Sequence, residues 1–254
     1  MRHRPRLPIL LCTLVALVAL AAPAAQAETR EAVRTKYVEP VYPENLLKTE
    51  RQGNVLLAGR IDAKGQIGDL RLVATSNNGL VKPAIEAVEQ WRFRPATKDG
   101  KPIEIFANVG VRFRIQGDKR GRIDLPILGD IAISPADKAG RKTAPEGFPI
   151  QRGKDPALRA EALLDLPPVG EARTLTVKVE AVSSKGRKIA IFQPPVAVAA
   201  GATEVRIPVV AQIGKDWEDG VWALQFIVNG SPAGGGQFWL AADPDHFRFV
   251  IPRS

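Results

Sequence analysis

The chain has 254 residues, 45% of them hydrophobic, with 36 Lys and Arg against 27 Asp and Glu and a formal charge of +9. That length makes one large domain or two small ones, and the hydrophobic share is that of a globular protein with a packed core. One cysteine in the whole chain excludes a disulfide framework.

The first 27 residues stand apart from the fold. Arg2, Arg4 and Arg6 form a basic start, residues 7–22 are almost wholly apolar, and Pro23 precedes the small-x-small site Ala25-Gln26-Ala27. This is the pattern of a secretory signal peptide cut after Ala27. The alternative, a retained inner-membrane anchor, calls for about 20 apolar residues, more than this run holds. Cys12 follows Leu10 and Leu11 rather than small residues, which argues against lipidation. Removing Arg2, Arg4 and Arg6 from the 36 basic residues leaves 33 against 27 acidic, a mature charge of +6. Cleavage also removes the cysteine, ending any thiolate chemistry, and leaves His246 as the last histidine. The expectation is a periplasmic protein without a transmembrane segment, and export separates it from nucleic acid.

After a polar lead over 28–36, Pro43 suits the first turn of a short helix over about 43–50, with Gly53 as its stop. A β-hairpin follows: Val55, Leu57 and Ile61 alternate on one strand and Leu70, Leu72 and Ala74 on the next, joined by Asp62-Ala63-Lys64-Gly65. Val81, Ala84, Ile85, Val88 and Trp91 or Arg92 have helical spacing, with Pro83 in the first turn and Pro95 as the stop. Ile103, Ile105, Ala107, Val109, Val111, Phe113 and Ile115 keep a period of two, the mark of a long strand with one buried face. Two helices on a three-stranded antiparallel sheet, over 37–116, make a small α+β domain.

Residues 117–160 are rich in Gly, Pro, Lys and Arg and read as a linker that docks partway. From 161 to 254 only strand patterns recur, including one at 246–251, between turn signals at Ser183-Ser184-Lys185-Gly186, Asn229-Gly230 and Gly234-Gly235-Gly236. The expectation there is an all-β, sandwich-like domain.

Over 37–116 the ordered series Pro40-Val41-Tyr42-Pro43, Gly53, Ile61-Asp62-Ala63-Lys64-Gly65, Ala84-Ile85-Glu86-Ala87-Val88 and Trp91-Arg92-Phe93-Arg94-Pro95-Ala96 closely resembles the C-terminal domain of TonB. Gly100-Lys101-Pro102-Ile103 and Val111-Arg112-Phe113 continue it, while Ser76-Asn77-Asn78-Gly79 departs in one loop. The resemblance implies a partner captured by β-strand addition, an extended peptide of an outer-membrane receptor in the family's main members. Carried over, the partner-binding edge strand is Ile105, Ala107, Val109, Val111, Phe113 and Ile115, with Tyr42, Pro43, Gly53, Trp91, Phe93 and Pro95 as the structural motif. An unpaired edge is a template for another strand, and a second copy of the chain would serve as well. The alternative is that residues 127–133 or the C-terminal domain cover this edge. The family's main members also keep a membrane helix and a long Pro-rich spacer, absent here: about ten residues separate the cleavage site from the domain, a reach of at most ~35 Å.

Enzyme chemistry is not expected, nor a cofactor. His246 would have to serve any Ser-His-Asp mechanism, and no Gly-x-Ser-x-Gly elbow is present. Asp243, Asp245 and His246 have metal-ligand chemistry, but Pro and Asp between strands equally make a turn. Gly234-Gly235-Gly236 lacks the lysine and helix of a phosphate loop and reads as a flexible hairpin loop. Trp222 and Trp239 sit in strand patterns and belong to the core. Trp217, in Lys215-Asp216-Trp217-Glu218-Asp219-Gly220, is the candidate exposed aromatic for envelope-glycan binding. Trp91-Arg92-Phe93-Arg94 could stack bases only with its rings exposed; the expectation is rings inward and arginines outward. The function expected is non-enzymatic binding of a cell-envelope partner linked to transport, with a membrane-anchored energy transducer or a glycan-binding protein as alternatives.

Overall fold

The computed structural model describes residues 28–49, 52–115, 125–191 and 193–242. The expected signal peptide, the Asp243, Asp245 and His246 cluster and the strand expected at 246–251 lie outside the described residues.

The polar lead is not loop: Thr29–Arg30 (β1) and Val33–Lys36 (β2) are short strands that later segments pair. Pro43 precedes α1 (Glu44–Lys48), a five-residue turn with no buried residue. Gly53 opens β3 (Gly53–Ile61) instead of closing a helix, and a Cβ there would meet Ser76 Oγ at 2.3 Å. β4 (Ile67–Thr75) returns antiparallel to β3. In the turn between them Asp62 Oδ1 accepts the N–H of Lys64 and of Gln66, and Gly65 takes the left-handed φ of 78. The alternation expected on β4 breaks, because the ladder slips between Ala58 and Arg60 and Asp69 adopts φ 54. Leu70 packs toward the helix, Leu72 is exposed, and Ala74 packs against the C-terminal strands.

α2 (Val81–Val88), entered through the 3-10 turn Asn78–Leu80, buries Ala84, Ala87 and Val88. It ends well before Pro95. The N–H groups of Gln90 and Trp91 turn back to Ala87 and Val88, and Arg92–Arg94 (β5) leaves to pair with β2. Ala96–Lys98 (β6) and Lys101–Ile103 (β7) form a hairpin around Asp99-Gly100, whose φ values of 52 and 75 fit a tight two-residue turn, and β1 joins β6. β8 (Ile105–Phe113) pairs antiparallel along β3, giving the sheet order β4-β3-β8. Val55, Leu57, Val109, Val111 and Phe113 pack with Leu80, Ala84, Val88 and Trp91 in one core. Of the two helices expected on this sheet, only α2 contributes buried residues.

Ile127–Ala136 (β9), within the expected linker, is a ten-residue strand. After it come Ile150–Gln151 (β10), Ala157–Asp165 (β11), Arg173–Leu175 (β12), Val177–Ser183 (β13), Lys188–Ile191 (β14), Val196–Val198 (β15), Glu204–Gln212 (β16), Gly220–Val228 (β17) and Ser231–Ala241 (β18). One sheet runs β16-β11-β9, another β10-β18-β17-β13-β14, and β12 and β15 pair alone. Ile131, Leu158, Leu164 and Ile207 from the first sheet share a core with Val179, Trp222, Leu224 and Phe226 from the second. The described chain is therefore mostly β, with a small α+β part followed by a β-rich part.

Two expectations fail here. Trp217 is 2% exposed, its ring 4.8 Å from that of Trp222, while Lys215, Asp216 and Asp219 beside it stay exposed. A polar loop thus hides an inward ring, and the glycan reading loses its aromatic. Gly234, Gly235 and Gly236 are not a loop but lie inside β18, the turn being Asn229-Gly230 at φ 49 and 82. They are glycines because the chain is crowded: a Cβ on Gly234 would meet Ala74 Cβ at 2.8 Å and Leu128 Cβ at 3.0 Å.

Candidate functional site

β8 ends its sheet, with β3 on one side and no ladder partner on the other. The side chains of Ile105, Val109, Val111 and Phe113 are buried and Ala107 is half-buried, whereas Ile115, expected on the same strand, lies beyond its end at Phe113 and is half-buried. Ile105, Ala107, Val109, Val111 and Phe113 all pack in the helix-side core. What this strand can offer a partner is therefore main chain. Phe106 marks the open side, because its N–H donates to Gly147 O at 3.2 Å. Asn108, Gly110 and Arg112, at steps of two, share that direction.

Gly147 belongs to a strap between β9 and β10. Along it Thr143 N–H donates to Pro135 O at 3.0 Å and Gly147 N–H to Ile133 O at 2.9 Å, both on β9. β9 also ends its sheet, so Gly147 joins two strand edges. Its φ is 77 and a Cβ would stand 2.1 Å from Phe106 O, so only glycine fits. Phe148 anchors the strap in the helix-side core at 5% exposure. β9 itself crosses β8 farther along, where a Cβ on Gly110 would stand 2.1 Å from Gly129 O. Of the covers named as alternatives, residues 127–133 thus approach β8 at Gly129 without pairing with it, while the contact at Gly147 comes from elsewhere in the expected linker. Between the contacts lies a groove of about 240 Å³ lined by β8, by Asp130, Ile131 and Ile133 of β9, and by Glu31, Arg34 and Glu146.

The other face of the β4-β3-β8 sheet is docked on the C-terminal strands. The Asn108 side chain imitates a peptide group, donating to Gln237 O at 3.1 Å and accepting from Gln237 N at 2.9 Å. Asn54, wholly buried, donates through Nδ2 to Asp165 and accepts through Oδ1 from Arg114 at 3.0 Å. Arg112 and Arg114 each reach the Asp165 carboxylate at 3.5 Å. Burial pushes the Asp165 pKa above the usual carboxylate range, the two guanidiniums opposing it.

The motif residues brace the frame around this edge. Tyr42 meets Phe113 edge-to-face at 5.5 Å, and burial raises its hydroxyl pKa. Trp91 is 3% exposed and donates from Nε1 to Val38 O at 2.9 Å. Phe93 N–H donates to Gly65 O at 2.8 Å, tying β5 to the hairpin turn. Pro95 stands between β5 and β6, while Arg92 and Arg94 are exposed. With Trp91 buried and Phe93 packed on the core, the alternation offers no base-stacking surface. Among the described residues no group of three or more His, Cys, Asp or Glu could hold a metal, and no helix is long and apolar enough to cross a membrane.

Comparison with known proteins bears on one part of the chain. Residues 38–115 match the family model of the Gram-negative bacterial TonB protein C-terminal, and they form a TonB C-terminal domain. A protein TonB of Vibrio cholerae serotype O1 is 32% identical over 89 residues, covering 35% of this chain and 36% of the relative. The match thus spans about a third of that relative's length. A solution structure of the Pseudomonas aeruginosa TonB C-terminal domain is 22% identical at a TM-score of 0.31, covering 35% of this chain and 91% of that one. An alkylpurine DNA glycosylase AlkC of Pseudomonas fluorescens, bound to DNA containing an abasic site analog, is 17% identical at a TM-score of 0.35, covering 48% of this chain and 32% of that one. Likeness at such scores carries no argument about fold or function.

Proposed function

We propose that this chain is a non-enzymatic, exported protein of the cell envelope whose TonB C-terminal domain binds an extended segment of a partner protein by strand addition beside β8. The observation that carries the reading is the open side of β8, held in place from behind by a buried apolar face. Phe106 already accepts a surrogate there, the single residue Gly147. A partner strand would take over that contact and extend it past Asn108. The family match to residues 38–115 supports an envelope protein with a transport-linked protein partner, an outer-membrane receptor being the family's example. The amino-terminal sequence supports export with cleavage after Ala27. An anchored transducer is distinguished by the amino terminus of the mature protein.

The test is amide hydrogen exchange of the full mature chain with an extended nonapeptide of alternating valine and serine, glutamine at its centre. Strand addition predicts new protection at the Asn108 and Gly110 amides, beyond the Phe106 amide already bonded to Gly147, with little change at Leu57 on β3. Binding without protection on β8 would sink the reading.

A further inference from the structure

Resting on that reading of the β8 edge, we infer that the segment it accepts carries a basic side chain, lodged in the groove between β8 and β9. The chain as a whole is basic, at +9, yet this groove holds Glu31, Asp130 and Glu146 against one cation, Arg34. The Arg34 guanidinium is engaged with aromatic rings, 4.4 Å from the centre of the Trp91 ring and 4.8 Å from that of Tyr37. Among the described residues none of the three carboxylates has an ion-pair partner within 4 Å. Asp130 instead caps the edge of β9, its Oδ1 accepting the N–H of Ile131 at 2.9 Å.

Glu146 stands at the exposed lip. Even there the surrounding protein withdraws enough water to push its pKa up, with Asp130, Glu31 and Glu161 adding like-charge repulsion and Lys142 opposing. Carboxylates that outnumber the cations around them and lack an ion pair repel one another, and an incoming ammonium or guanidinium relieves the repulsion. Main-chain pairing with β8 supplies attachment, and the carboxylates select the charge. A partner segment bearing Lys or Arg in an extended run fits both.

Three versions of the valine-serine nonapeptide, with lysine, glutamine or glutamate at the centre, test this on the full mature chain by fluorescence anisotropy. The lysine peptide should bind about tenfold tighter than the glutamine peptide, and the glutamate peptide more weakly than either. That margin should shrink in 1 M salt, where the Debye length falls to about 3 Å, and in the double variant Asp130→Asn, Glu146→Gln. It should also fade as pH falls, because Glu146 takes up its proton before an ordinary carboxylate does. Unchanged binding of the glutamine peptide shows that the double variant is folded; if that is lost, the three peptides on the unaltered chain decide alone. Equal affinity of all three, or an undiminished margin in a folded double variant, overturns the charge inference and leaves strand addition standing. Binding of none of them overturns both.

Discussion

Replacing Asp165 by alanine tests whether the TonB-like sheet and the C-terminal strands stand or fall together. Asp165 is 1% exposed and Asn54 wholly buried, so Asp165→Ala strands the Asn54 amide donor away from water. Leaving such a donor unpaired costs about 1–3 kcal/mol. Arg112 and Arg114 keep 34% and 41% of their side-chain surface in solvent, so they rehydrate and add at most about 1 kcal/mol between them. A total near 2 kcal/mol follows. Asp165→Asn keeps an acceptor for Asn54 and gives up only the attraction of two half-exposed guanidiniums, so it should cost about 1 kcal/mol or less. Urea unfolding of the full mature chain reads this directly: with a slope of about 2 kcal/mol per molar, the alanine midpoint drops by about 1 M in a single transition. Equal midpoints for the two variants would refute the reasoning, because Asn54 would then gain nothing from the acceptor.

The sign of the pH effect is fixed by the same site. A folded-state pKa above the unfolded one makes ionisation of Asp165 unfavourable to the fold, so its contribution falls as pH rises through the window between the two values. The unaltered chain should therefore gain stability relative to Asp165→Asn as pH falls from neutral toward the usual carboxylate range.

Three further outcomes separate frame from surface. Trp91→Ala should cost about 3–5 kcal/mol in thermal unfolding, whereas Arg92→Gln with Arg94→Gln should stay within about 0.5 kcal/mol; collapse of the arginine variant would contradict their outward placement. Gly234→Val, at φ 127 with Ala74 and Leu128 in its way, should cost at least about 2 kcal/mol and speed proteolytic cutting between the two parts, and free tolerance would deny the close approach. Gly147→Ala drives the strap from Phe106 O and should tighten binding of the glutamine peptide severalfold; weaker binding would make the strap part of the binding surface instead of a stand-in for the partner.

Much of this was legible in the sequence because local chemistry decided it. The period of two over 105–113 gave β8 its buried face, and Asp62 to Gly65 gave the turn into β4. What stayed hidden depended on contacts distant in the chain. Nothing near residues 33–36 announces that they pair with 92–94. Trp217 lies among charged neighbours and turns inward, so composition pointed the wrong way. The triple glycine was readable in principle, since glycine inside a strand marks a close neighbour, but its neighbours Ala74 and Leu128 lie more than 100 residues upstream. The strap escaped for the same reason: Gly147 is dictated by Phe106 O, not by residues beside it.

The most direct measurement is photo-cross-linking in cells, with a photoreactive residue placed in turn at Asp130, Ala132 and Glu146 along the groove and at exposed Glu171 as a remote control. Strand addition predicts that the three groove positions capture one partner and that the cross-linked sites fall in order along one short extended segment bearing Lys or Arg, with Glu171 silent. Cross-links no stronger than at Glu171, or scattered over a folded surface of the partner, would contradict it.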